Sequence, residues 1–188
     1  QPSTAENVVK RFGNYLIGEN INHKDILRVI EDFKDSNLEL KTLYESFARN
    51  EKYKSCQLYG SRLLDPSSLV SRTISLIGSR HPNNFKIGVK ILTKMGQRML
   101  EPPNPKGWPF GANWLNSSRI LYRKKGLKML IADEEIWDSR NTPKSLRREL
   151  VSFDPLNISL PAEPTRENIA VLITDPAWNF SRPINLIY

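Results

Sequence analysis

Apolar residues recur every three or four positions through the first hundred residues, the period of helices that bury one face. Ala5, Val8, Val9, Phe12 and Leu16 form the first stripe. Ser3-Thr4-Ala5-Glu6 ahead of it reads as a capping box, the serine oxygen and the glutamate each satisfying a free backbone N–H, and Gly18 supplies a stop. Asn22 can cap a second helix with Ile26, Leu27, Ile30 and Phe33 on one face. Asn37 can cap a third that turns Leu40, Leu43, Tyr44 and Phe47 inward, followed by a short loop around Tyr53 to Gly60. Asp65-Pro66 is a strong start, a capping carboxylate and a proline in the first turn where its missing N–H costs nothing. That helix buries Leu69, Val70, Ile74 and Ile77 and stops at Gly78; a fifth runs from about Asn84 to Leu100 on Ile87, Ile91, Leu92, Met95 and Met99.

At Glu101 the pattern breaks. Pro102, Pro103, Pro105 and Pro109 interleave with Gly107 and Gly111, which excludes a helix or a central strand. Trp108, Phe110 and Trp114 fall in the same irregular stretch, and a loop so rich in aromatics reads as packed over the helices, since flexible linkers are poor in them. Asn116-Ser117-Ser118 then caps a helix through Ile120, Leu121, Leu127 and Leu130, in which Gly126 predicts a kink or an early end. Thr142-Pro143 starts a short helix through Leu146 and Leu150, Asp154 to Pro164 is extended, and Thr165 caps a last helix holding Ile169, Leu172 and Ile173. Asp175-Pro176-Ala177-Trp178 breaks it. The predicted fold is all-α, one domain over residues 1–188 with six to eight helices. Its parts are a helical core 1–100, a packed Pro/Trp loop 101–116, and C-terminal helices with an extended tail 117–188.

Composition removes several function classes. The single cysteine, Cys56, excludes an intrachain disulfide framework and a thiolate zinc site built from this chain alone. His23 and His81 leave little for metal chemistry, and no metal or other cofactor is expected. No stretch approaches the ~20 apolar residues of a membrane-spanning helix. The opening Gln1-Pro2-Ser3-Thr4 carries neither methionine nor leader, so the chain is read as a processed product or a piece of a longer protein.

One stretch resembles a known family. Met95-Gly96-Gln97-Arg98-Met99-Leu100 runs into Glu101-Pro102-Pro103-Asn104-Pro105-Lys106-Gly107-Trp108-Pro109, followed by Gly111, Trp114-Leu115-Asn116-Ser117 and Arg123. This is similar to the signature of the bacterial domain-of-unknown-function family 1800 (DUF1800). There a Gly-Gln and a Pro-Pro precede Gly-Trp-Pro, a second Trp and a Ser/Thr-capped helix with an arginine. Pro2-Ser3-Thr4-Ala5 through Phe12 and Leu16 looks like the start of that family's C-terminal half, and Leu172-Ile173-Thr174-Asp175-Pro176 like its close. Leu64-Asp65-Pro66-Ser67-Ser68 departs from the family's Lys-x-Pro-x-Glu, so any polar role of that lysine and glutamate is not performed in the same way here. The resemblance implies the C-terminal part of a larger exported or periplasmic protein, and it implies no activity.

Three groups of residues carry candidate chemistry. Trp108, Phe110 and Trp114 beside Asn104, Asn113 and Asn116 form either a platform for a sugar or peptide, or a clasp pinning the proline-rich loop to the bundle. Lys86, Lys90, Lys94 and Arg98 recur every four residues; Arg119, Arg123, Lys124, Lys125 and Lys128 form a second basic cluster, with Arg147-Arg148 beyond. With 28 Lys+Arg against 20 Asp+Glu, net +8, they offer a surface for an acidic partner, or simply a solvated helix face. No nucleic-acid fold signature accompanies this charge, and no aromatics interleave with the first stripe, so nucleic acid is disfavoured. The carboxylates Asp133-Glu134-Glu135 with Asp138, and Glu31-Asp32 with Asp35, read as surface charge, and no catalytic residue is assigned. The expected role is a non-catalytic interaction or scaffold part of a larger exported bacterial protein, its partner another protein or the rest of its own parent chain. The alternative is part of an exported enzyme, or of a carbohydrate- or peptide-binding protein, whose site a missing N-terminal half completes.

Overall fold

The computed structural model describes residues 2–18, 23–50, 62–142, 144–146 and 163–181. Among these the protein is mostly α-helical, with eight α-helices and one two-stranded sheet. Asn22, the Tyr53–Gly60 loop with Cys56, Arg147-Arg148, most of the helix expected after Thr142-Pro143 and all but the end of the Asp154–Pro164 stretch lie outside the described residues. The chain divides into two compact units, Gln1–Leu63 with Phe180–Tyr188, and Leu64–Asn179.

In the first unit α1 (Pro2–Leu16) packs on α2 (His23–Asp35), and α2 on α3 (Leu40–Arg49). Helix α1 begins at Pro2, one residue ahead of the expected capping box, as suits a proline whose φ is already helical. Ala5, Val9, Leu16, Val29, Ile30, Phe33, Leu43 and Phe47 form the core. Phe12 meets Tyr44 edge-on, centroids 4.7 Å apart. Asn37 does not cap α3. It and Leu38 take left-handed φ values of 58° and 66°, and the Leu38 N–H reaches back to the Phe33 carbonyl at 2.9 Å, which closes α2 instead. Glu39 then precedes α3, and the rotated start leaves Leu40 and Tyr44 exposed; on α2, Val29 takes the inward place expected of Leu27. A two-residue antiparallel pair, β1 (Arg62–Leu63) with β2 (Phe180–Ser181), belongs to the same unit.

In the second unit α4 (Pro66–Ile77) starts as the sequence requires, the Asp65 carboxylate accepting the Ser68 N–H at 3.0 Å, and stops at Gly78 with φ 72°. Helix α5 (Asn83–Lys94) is shorter than its periodicity implies. Gly96 adopts φ 86° and the Gln97 N–H bonds to the Leu92 carbonyl at 2.8 Å, so the helix ends there. Met95 remains buried, whereas Met99 is exposed and Leu100 is 93% exposed. Helix α6 (Ser117–Ala132) is capped by Asn116, whose side chain accepts the Arg119 N–H at 2.8 Å. It runs through Gly126 without ending. A Cβ there would lie 3.0 Å from Ile91 Cγ2, so the glycine serves a close approach of α5 to α6. Ile120 and Leu121 face outward.

Asp133 caps the short α7 (Glu134–Asp138), and Thr165 caps α8 (Arg166–Thr174). After the break at Asp175, Pro176–Asn179 forms a 3-10 turn that buries Trp178. Its indole N–H donates to Thr73 Oγ1 at 3.1 Å and the Arg72 guanidinium lies 3.9 Å from its ring centroid. Helix α6 packs against α4, α5, α7 and α8, and the core gathers around Leu69, Ile77, Ile91, Leu127, Leu130 and Leu172.

Candidate functional site

The Pro/Trp loop leaves α5 at Gly96 and returns to α6 at Asn116. Trp114, closing the 3-10 turn Gly111–Trp114, is 1% exposed, and half-buried Trp108 stacks beside it at 6.4 Å between centroids. Phe110, at 38% exposed, is the outward member of the three. The exposed asparagines serve the loop's own backbone: Asn104 accepts the Lys106 N–H at 2.9 Å, and Asn113 Nδ2 donates to the Phe110 carbonyl at 3.0 Å. Arg119 joins the two ends. Its Nη1 donates to the Asn113 carbonyl at 2.8 Å, its guanidinium lies 5.4 Å from the Trp114 centroid, and a Cβ on Gly96 would meet its Nε at 3.1 Å. Trp114 is therefore closed to a ligand in this conformation.

Two further residues of the quoted stretch also work inside the fold. Gln97 is buried, and its Oε1 accepts the Ser67 N–H at 2.8 Å, satisfying a free donor of the first turn of α4. Arg123, expected on a basic partner surface, is 3% exposed. Its Nη2 donates to the Leu64 carbonyl and its Nη1 to Asn179 Oδ1, so this part of the basic cluster is structural. Its place on the inner face of α6, one turn before Leu127, is the physical reason.

The remaining cations separate. Lys86, Lys90 and Lys94 stand exposed on α5, but Arg98 lies beyond the end of that helix and pairs with Glu101 at 3.6 Å. Lys124, Lys125 and Lys128 are exposed on α6. Two of the stripes meet in a feature that sequence reasoning missed. Between α5 and α6 runs an open groove of about 610 Å³, with Val89, Lys90 and Lys94 on one wall and Tyr122, Lys125 and Met129 on the other. Ile91 and Gly126, where the helices come closest, also line it. The Lys94 ammonium lies 5.9 Å from the Tyr122 ring centroid, which keeps it at the groove. The sequence carries each wall as an i,i+4 pattern, Lys90/Lys94 and Lys125/Met129, without showing that the walls face each other.

The carboxylates act locally. Asp133 caps α7, and Asn83 Nδ2 bridges Asp133 and Glu135 at 3.2 and 2.6 Å. Arg166 grips Glu134 with two bonds of 2.9 and 2.7 Å and holds its carboxyl below the usual carboxylate range. Arg166 also lies over Trp137, 4.8 Å from the ring centroid, with Arg140 at 3.9 Å. Asp32 accepts the Ser46 hydroxyl at 2.8 Å, tying α2 to α3. His23 is exposed, and His81 Nδ1 accepts the Asn83 N–H at 3.3 Å.

Among the described residues no helix is long and apolar enough to cross a membrane. No curated protein and no solved structure matches the chain. What does match is a family model that covers the helices of both units and the Pro/Trp loop between α5 and α6. Over residues 1–176 the chain fits the model described as protein of unknown function (DUF1800), and it belongs to that family.

Proposed function

We propose that this chain is a non-catalytic interaction part of a larger exported bacterial protein, and that its partner surface is the lysine-walled groove between α5 and α6. The groove itself carries this reading: Val89, Tyr122 and Met129 line an open trough bordered by exposed lysines, a small apolar floor with a charged edge. The employment of the other candidates supports it. The loop tryptophans and asparagines, Arg119 and Arg123 are spent on packing, and Asp133 and Glu134 on a cap and an ion pair.

A photo-crosslinking side chain at Met129, in the protein as bacterial cells produce it, tests this. The expected result is a discrete adduct that Lys90→Glu/Lys94→Glu abolishes. No adduct, or one indifferent to that change, would overturn the assignment.

A further inference from the structure

Resting on that interaction reading, we infer that the groove receives one helix of a partner protein, with an apolar stripe bordered on both sides by Asp or Glu. Shape is the first argument. Helices α5 and α6 touch at Ile91 and Gly126, and the trough above such a contact is the space a third helix fills in helix packing. The α6 wall runs from Tyr122 to Met129, about 10 Å at 1.5 Å per residue, so the partner engages over about two turns.

Charge is the second argument and settles the chemistry. Lys90 and Lys94 stand on one wall and Lys125 on the other, and the Lys94 ammonium reaches toward Tyr122 across the groove. A fatty-acid-like amphiphile brings one anionic head and leaves one wall unmatched. A nucleic-acid backbone matches the lysines and leaves Val89, Tyr122 and Met129 against polar phosphate. An amphipathic helix satisfies all three conditions, because residues on either side of its apolar stripe project toward opposite walls.

The probe is a synthetic, fluorescein-labelled helical peptide of about fourteen residues, leucines at i, i+3, i+4 and i+7 with glutamates on both flanks. Its anisotropy is titrated with the full chain, and binding that weakens with added salt is expected. Lys90→Glu/Lys94→Glu/Lys125→Glu should weaken it at least about tenfold and create binding for a lysine-flanked peptide of the same leucine pattern. Lys10→Glu/Lys41→Glu/Lys144→Glu, equal in net charge and on exposed positions elsewhere, should weaken it much less. Equal loss in the two variants reduces the effect to net charge and overturns the inference. So does failure of the peptide where dodecanoate binds in a manner dependent on Lys90 and Lys94. If the peptide fails while the Met129 adduct persists and depends on the lysines, the helix assignment falls and the interaction reading stands. If the peptide binds as described and cells yield no adduct, the interaction reading falls.

Discussion

Arg123 Nη2 donates to the main-chain carbonyl of Leu64 at 2.8 Å. The same guanidinium reaches Asn179 Oδ1 at 3.2 Å, and the Leu64 N–H donates to the Asn179 carbonyl at 2.8 Å. One buried cation thus ties together the first and last residues of the Leu64–Asn179 unit, where the chain enters and leaves it. Burial pushes the guanidinium down to about 10, against the pull of Asp65. It is still charged at neutral pH, and its Nε is buried without a hydrogen-bond partner.

Arg123→Ala should cost about 2–4 kcal/mol in urea unfolding, since it strips a buried carbonyl and an amide of a charged donor. Arg123→Lys should recover only part of this, because a single ammonium cannot span both acceptors as the planar fork does. An alanine variant as stable as the parent would mean that water already serves the Leu64 carbonyl.

Gly126→Ala sets two effects against each other. Alanine is favoured over glycine in a helix by about 1 kcal/mol. Its Cβ would lie 3.0 Å from Ile91 Cγ2, so the Ile91 side chain would have to give way by a few tenths of an ångström. Overpacking costs about 1–3 kcal/mol, so a net loss is expected. Ile91→Leu removes the offending Cγ2, and the double variant should be more stable than the two single effects predict. Strict additivity in thermal unfolding would place the strain elsewhere.

The two loop tryptophans should differ sharply. Trp114→Ala empties a fully buried site and should cost about 3–5 kcal/mol. Trp108→Ala mainly removes a stacking partner and should cost about 1 kcal/mol. Equal, small losses in guanidinium unfolding would show that the loop is not fastened to the second unit as described.

The Glu134–Arg166 pair makes stability depend on acid. Arg166, mainly through its hydrogen bonds, lowers the folded-state value of Glu134. Between the folded and the ordinary carboxylate values the unfolded chain binds more protons, so stability from this pair is present above that window. It is lost as the pH falls through the window. The pair is exposed, so the effect is small and screened by salt. The melting-temperature gap between the parent and Glu134→Gln should therefore be positive at about pH 7 and narrow as the pH falls below about 4.3, the ordinary glutamate value. A gap unchanged across that range would assign it to packing.

Much of the secondary structure was legible because its chemistry is local. Asp65, Asn116 and Thr165 each cap a helix by accepting an N–H three residues ahead, and Gly78 ends one in a left-handed turn. The errors are local as well. Asn37 reads as the start of the next helix but closes the previous one, and Gly96 sits where an apolar period continues past it although its φ of 86° leaves the helical region of backbone space.

The sequence by itself determined the all-α class, the caps at Asp65, Asn116 and Thr165 and the larger part of the apolar faces, because each rests on groups within about one helical turn of one another. Tertiary structure alone decided that Arg123 is interior while Lys90, Lys94 and Lys125 stand around an open groove. It also decided that Gly126 receives Ile91. Those facts depend on which faces of distant helices meet. A cation on a helix reads the same in sequence whether its side chain meets solvent or two acceptors brought there by chain segments far from it.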